Sequence, residues 1–451
     1  MSQTKFRDEQ GLAMSGANAA AADAYVATIR QMRCLIGDPV ASIEQAIEAA
    51  PGMALAHLAR AWLYLIGTEP AGRPLALESI QAATGLVMDE RERGHLAAVT
   101  ELAAGRWHSA SRCLEDVSAA WPHDELALLA AHQMDFMRGD SRMLRDRIAR
   151  ALPSWDAGRP GWHAMLGMYA FGLEECGQYV AAERHGGEAV ELEPRDGWAW
   201  HAVAHVHEMR GEARRGIDWL RPTRQVWSES SYLAVHNTWH LALFHLTEGE
   251  PEQALRLYDE GVGGVTSPVV IELIDASAML WRMRMLGMDV GERWQPVADR
   301  WAAAGPLGNY AFNAVHALMA YIATGRTRAQ QEVLEALVAA THADDDSALF
   351  AREAGLPVAR ALLAQAQGEH REASRHLRRV RNQLQRFGGS HAQRDLFDMI
   401  LLDAVARAGD LRLLSALMAE RAAARPGRPI APLAVSRAQS VRPQVPEGVA
   451  A

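Results

Sequence analysis

A glycine recurs along this chain at a nearly regular interval, and that interval limits the fold more than any other feature. Gly37, Gly67, Gly105, Gly139, Gly177, Gly211, Gly249, Gly287, Gly325, Gly368 and Gly409 stand 30 to 43 residues apart, most often 34 or 38. Between them run segments with apolar residues at i, i+3, i+4 and i+7, the period of an α-helix with one buried face. Glycine suits the end of a helix because the closing residue often takes the left-handed conformation. Five residues after several of these glycines comes a small residue: Ala110, Ala182, Gly216, Ala254 or Ala373. A small side chain there lets two antiparallel helices approach closely. A helix–turn–helix unit repeating in this way is the signature of a solenoid. The expected fold class is therefore all-α: a tetratricopeptide-like helical-repeat solenoid, a right-handed superhelix of antiparallel helix pairs.

Composition agrees. Ala and Leu dominate a chain that is 49% hydrophobic and only 6% aromatic, which favours helix throughout. No alternating strand run interrupts the pattern. Residues 163–194 match the tetratricopeptide pattern best, with Ala170, Ala182, Ala189 and Pro194 where such a repeat places them. Helix pairs are expected continuously over 18–424. Residues 1–17 are polar and read as a disordered N-terminus. Residues 425–451 carry five prolines and no apolar period, and read as a Pro/Arg-containing flexible tail.

A net charge of −9 argues against a non-specific nucleic-acid surface or an anionic-membrane surface. No apolar run is long enough to span a bilayer, and the first residues lack the apolar core of a secretory signal. Cys34, Cys113 and Cys176 have no paired spacing, so neither a disulfide framework nor a zinc ribbon is expected. A cytoplasmic location follows as the expectation.

Six of the eighteen histidines fall between His201 and His245. Counting back from each closing glycine puts them in phase. His201 and His205 lie ten and six residues before Gly211; His236 and His240 lie thirteen and nine before Gly249; His316 lies nine before Gly325 and His57 ten before Gly67. Asp275 and Asn313 lie twelve before Gly287 and Gly325. Offsets of about 6, 9–10 and 12–13 share one helix face. In a tetratricopeptide-like array that face lines the concave groove, so these side chains are expected to converge there. The two HxxxH pairs could ligate one metal ion, with Asp275 or Glu208 supplying an oxygen. The competing reading is that each is a hydrogen-bonded packing residue. His207 and His245 fall off the stripe and read as structural or capping. Trp198, Trp200, Trp239 and Trp281 read as core between helix pairs, or as walls of a ligand pocket. Arg282 and Arg284 could meet a carboxylate or phosphate, or lie at a solvated helix end.

The blocks WAWHAVAHVHEMRG, HNTWHLALFHLTEGEPEQALRLYDE, DASAMLWRM and FNAVHALMAY, in this order, resemble the tetratricopeptide repeat protein 38 family. The resemblance extends from roughly residue 20 to 420. It takes in His57, His201, His205, His236, Asn237, His240, His245, Asp275, Trp281, Asn313 and His316; Ala314 stands where an acidic residue is expected. The resemblance implies the repeat fold and carries no settled activity.

Two functions follow as expectations. One is a scaffold whose His/Asp-lined concave groove takes a small molecule or peptide, with no nucleic acid and no membrane as partner. The other is a metal- or cofactor-dependent enzyme using the histidines for ligation or acid–base catalysis. In that reading a divalent metal sits on His201, His205, His236 and His240, with Asp275 and His316 outside them; axial ligation of a haem is a variant. His57, Trp200, Asn237, Trp281 and Asn313 complete the expected groove.

Overall fold

A computed structural model describes residues 6–264, 269–305 and 307–425. Among them are 24 α-helices and no strand, only two isolated bridges. The helices follow one another as antiparallel pairs, from Ala19–Cys34 with Pro39–Ala49 to His391–Arg407 with Leu411–Ala424. The protein is all-α and built of paired-helix repeats. Two short helices, Arg224–Ser228 and Asp346–Phe350, interrupt the alternation.

Ten of the eleven interval glycines have positive φ, between 66° and 81°. Gly67 is the exception, at −72°. In that turn Thr68 is left-handed instead, at φ 62°, a conformation costly for a β-branched residue. Two asparagines hold it there: Asn309 donates to the Thr68 carbonyl (2.9 Å) and Asn313 to its hydroxyl (3.0 Å).

Small residues set the helix spacing where backbones meet. A Cβ on Gly172 would lie 2.5 Å from the Arg145 backbone nitrogen and 2.6 Å from its Cα. Backbone cannot yield as a side-chain tip can. Gly172→Ala is therefore expected to push the Trp162–Glu175 helix off Ser141–Ala151. The expected cost is about 1–3 kcal/mol, despite the helix propensity gained. Urea unfolding checks this; an unchanged or raised midpoint contradicts it.

The array closes on itself, which the repeat pattern alone does not foretell. The turn at Gly67–Glu69 meets chain some 200 residues further on: Asn309 and Asn313 at Thr68, and the Val270 N–H donating to Glu69 Oε1 (3.0 Å). Tyr310 donates its hydroxyl to the Met137 carbonyl (2.6 Å), and Asp346 N–H donates to Gly105 O (3.1 Å). The His391–Arg407 helix packs against both Gly197–Arg210 and Val270–Met285. The inner face of the repeats is thus partly filled by the chain's own His391–Arg407 helix, within what the sequence predicts as a concave groove.

Residues 6–17 are docked rather than loose, a correction to the expected disorder. Met14 is buried. Gln10 donates to Glu125 Oε2 (3.1 Å) and Pro160 O (2.8 Å), and Ser15 N–H donates to Glu92 Oε1 (2.9 Å). Their polarity is matched by acceptors far along the chain, which composition does not reveal. Arg425 is buried and donates to the His391 carbonyl (2.8 Å); the rest of the expected tail lies outside the described residues.

Candidate metal centre

His201 and His205 lie one turn apart on the Gly197–Arg210 helix, and His236 and His240 one turn apart on Ala234–Thr247. Asp196 caps the first helix by accepting from the Trp198 and Ala199 N–H groups, each at 3.1 Å. Asn237 ties the second helix to the first by donating to Gly197 O (3.1 Å). Each of the four imidazoles brings one ligand nitrogen within 4.8 Å of the other three. His201 Nε2 and His236 Nε2 are 3.0 Å apart. All four rings are buried.

The cluster is short of partners. His201 Nδ1, both nitrogens of His205 and both of His240 have no hydrogen bond. Buried polar atoms left this way cost free energy, and five on three neighbouring rings form an unusual concentration. Burial, with repulsion from the neighbouring imidazoles, holds His201 and His240 well below the ordinary histidine pKa; burial takes His205 down to about 3. These rings are neutral near pH 7, the form that ligates a metal.

Two buried carboxyls stand outside the ring of imidazoles. Asp275 Oδ2 accepts from His236 Nδ1 at 2.8 Å, and Asp275 Oδ1 has no partner. Glu174 Oε2 lies 3.5 Å from His205 Nδ1, too far for a good hydrogen bond, and neither Glu174 oxygen has a hydrogen-bond partner. Burial pushes both carboxyls up, Glu174 strongly, with the charge of Glu175 adding to it. In each case Nδ1 faces a carboxyl and Nε2 is left for the centre, the arrangement that orients metal-bound histidine. Glu175 is engaged elsewhere: it accepts from His391 N–H (2.9 Å) and Ser141 Oγ (3.1 Å).

The other expected site residues are not in the cluster. His57 meets the Pro51 carbonyl through Nε2 (2.9 Å). Trp200 packs on Trp219, centroids 4.4 Å apart, and donates to Pro194 O (2.8 Å). Trp281 meets Trp294 edge-on at 6.2 Å, with the Arg284 guanidinium over its ring. Asn313 is committed to Thr68. His316 is buried between Phe312 and Phe397, its Nδ1 at 2.8 Å from the Phe312 carbonyl. An offset from a closing glycine fixes the direction of a side chain from its own helix, not what stands in front of it. For His316 that is Phe397, on the inserted C-terminal pair.

Trp198 and Trp239 do wall the cluster. Trp198 donates to His132 Nε2 (3.1 Å), and Trp239 stacks on His236 at 5.4 Å and 12°. Arg282 is buried, lies over Trp239 and is 3.8 Å from Asp395. His207 and His245 close turns, each meeting a glutamate five residues on: Glu212 at 3.2 Å and Glu250 at 2.6 Å.

Glu174 was not singled out from sequence. The signal was present, since Glu174 lies three residues before Gly177 as Glu208 lies three before Gly211.

Beside the centre is a cavity of about 500 Å³. Leu63, Ile66, Leu129, Phe136, Met168 and Leu233 supply apolar wall, and His201, His236 and Asp196 line it as well. His205 and His240 do not reach it.

Buried histidines away from the cluster give a pH prediction. Burial lowers His132 to about 3 and His316 to about 4, from 6.5. In both, the unfolded chain takes up the proton first. Stability is then fully present above about pH 6.5 and is lost as pH falls towards the folded values. Between pH 7 and pH 5 the pair should cost about 4 kcal/mol. Urea midpoints across that range check it, and His316→Phe should remove about 2 kcal/mol of the loss, His132 and the cluster histidines keeping their own shares. A profile that is level, or unaffected by the substitution, contradicts the assignment.

No protein-family model matches the chain. Among solved structures it is similar to a human IFIT1 dimer with m7Gppp-AAAA: 14% identity over 95% of this chain and 96% of that one, TM-score 0.43. It is also similar to the APC/C hetero-tetramer Cut9-Hcn1: 12% identity over 84% and 76%, TM-score 0.35. At this identity and overlap the likeness carries no ligand or partner over to this chain. No helix among the described residues is long and apolar enough to cross a membrane. Fold and site together define a helical-repeat protein with a buried four-histidine cluster.

Proposed function

We propose that this is a metal-binding helical-repeat protein in which His201, His205, His236 and His240 hold one divalent transition-metal ion. In the same proposal, the sequence blocks quoted above support a kinship with the tetratricopeptide repeat protein 38 family. The observation that carries the reading is four buried imidazoles, each with a nitrogen within 4.8 Å of the other three, and five nitrogens on His201, His205 and His240 without a hydrogen-bond partner. An ion with bonds of about 2.1 Å keeps tetrahedral ligands about 3.4 Å apart, so small side-chain shifts suffice. Four imidazoles suit zinc, copper, iron or nickel. Asp275 and Glu174, outside His236 and His205, match a double positive charge with two carboxylates. Burial disfavours those carboxylates in the absence of a cation. The partner is a small molecule rather than a peptide, because the inner face is partly filled and the adjoining cavity is of ligand size.

A metal-free acid–base reading has its own support in the chain Asp275–His236–His201, at 2.8 and 3.0 Å. Metal content separates the two. Protein purified without a histidine tag should carry about one equivalent of a single transition metal, released by a strong chelator and restored on adding it back. Metal-free protein that cannot be loaded rules out the metal centre and leaves the acid–base chain.

A further inference from the structure

The cavity beside the histidines has a shape and a rim that the metal centre does not explain. Its wall runs from the first repeats (Leu35, Leu63, Ile66) to Leu233 and Ile271. His201 and His236 line it, and these are the two histidines whose Nε2 atoms meet at 3.0 Å. The charged liners are already engaged: Asp196 caps its helix and meets His163 Nδ1 at 2.8 Å, Arg33 donates to Glu125 (2.7 Å), and Glu69 accepts from the Val270 N–H (3.0 Å). A core closes over apolar side chains where it can. Here Leu35, Leu63 and Ile66 are only half-buried, and they face a volume within the range of small-molecule sites.

The rim supplies an independent observation. The described residues contain three non-glycine positions with positive φ: Leu35 at 54°, Thr68 at 62° and Ser230 at 53°. Leu35 lines the cavity; Thr68 lies between the lining residues Gly67 and Glu69; Ser230 is two residues from the lining Tyr232. The Leu35 and Ser230 turns are tied together, with Gly37 N–H donating to Ser230 O (2.9 Å) and Tyr232 N–H to Leu35 O (2.8 Å). Backbone held in costly conformations gathers where a ligand is clamped. Leu35 takes its conformation as the left-handed cap of the Ala19–Cys34 helix, its N–H directed at Gln31 O and Met32 O, at a position where glycine is the ordinary choice.

We infer that this cleft binds an apolar organic molecule with a single oxygen-bearing end, its chain along Leu63, Ile66 and Leu233 and its polar end at His201 and His236. The inference rests on the metal reading only for what the polar end meets: the ion if one is held, the imidazoles if none is. The apolar wall and the strained rim stand without it.

The experiment is calorimetric titration of the untagged full-length chain with hexanol, octanol, decanol and dodecanol, and with the matching carboxylates. It is run on protein as purified and after chelator treatment. Affinity should rise by about fourfold per added methylene, the effect of burying one CH₂, until the chain fills the cleft. Ile66→Asp, at a half-buried wall position, should weaken dodecanol binding at least tenfold with the metal content unchanged. Leu63→Glu, on the same wall, repeats the test if the first variant does not fold. Carboxylates binding better than alcohols only while metal is present would place the ion at the polar end. Chain-length dependence in metal-free protein upholds the cleft even where the metal reading fails. Absence of binding, or binding indifferent to chain length and to both wall variants, overturns the inference while leaving the metal centre standing.

Discussion

Replacing His240 with alanine is expected to reduce bound metal from about one equivalent to less than about a tenth while leaving the fold intact. Without a metal, His240 has nothing to bind. Both its nitrogens are buried and have no hydrogen bond. Truncation opens a cavity, which costs stability, but it also removes two unsatisfied polar atoms, each costing about 1–3 kcal/mol. In chelator the two effects oppose, so the variant should melt within about 1 kcal/mol of the parent. With metal a thousandfold above its dissociation constant the parent gains about 4 kcal/mol that the variant lacks. A packing histidine behaves differently: its loss costs the same with metal and with chelator. Thermal unfolding under both conditions tells them apart, and an equal loss in both would falsify the ligand role.

That contrast shows what a single sequence carries. The helix pairs were legible because a glycine at the left-handed closing position is a local requirement, and ten of eleven interval glycines meet it. His201, His205, His236 and His240 were legible because two adjacent helices in the same phase must aim at each other. His316 obeys the same offset but faces Phe397, which arrives from the inserted C-terminal pair. Trp200 and Trp281 pack on Trp219 and Trp294 within their own repeats, the core alternative already open for them. His57 lies on a helix of the first repeats and spends its ring on the neighbouring Pro51 carbonyl. Closure of the array, through Thr68, Glu69 and Tyr310, joins residues some 170 to 250 positions apart. No local period encodes such contacts. Glu174 lay within reach of the glycine count but only once His205 was known to be its neighbour.

The second large effect is expected at Asp395. This carboxylate is 2% exposed and lies among three arginines: it accepts a hydrogen bond from Arg421, with Arg425 at 3.4 Å and Arg282 at 3.8 Å. Burial opposes its charge, but the three guanidinium groups hold its pKa well below the usual carboxylate range. Burial also lowers Arg282, to about 10, so that arginine depends on its counter-charge. Asp395→Ala leaves buried positive charge without a partner. Breaking a buried pair from one side costs about 3–5 kcal/mol, enough to unfold a marginal protein. The loss should begin at the C-terminal pair, which Asp395 ties to the Val270–Met285 helix through Arg282. Limited proteolysis should then cut first between the Val270–Met285 and His391–Arg407 helices, and Asp395→Asn should be milder because it keeps an acceptor oxygen. A variant as stable and protease-resistant as the parent contradicts this account.

X-ray absorption at the metal edge of untagged, full-length protein tests the four-histidine centre most directly. The account predicts four nitrogen neighbours at about 2.0–2.1 Å with the outer-shell scattering of imidazole rings, and one fewer in His240→Ala protein loaded at high metal concentration. A first shell of oxygen or sulfur, or one unchanged by that substitution, would place any bound ion elsewhere and contradict the centre.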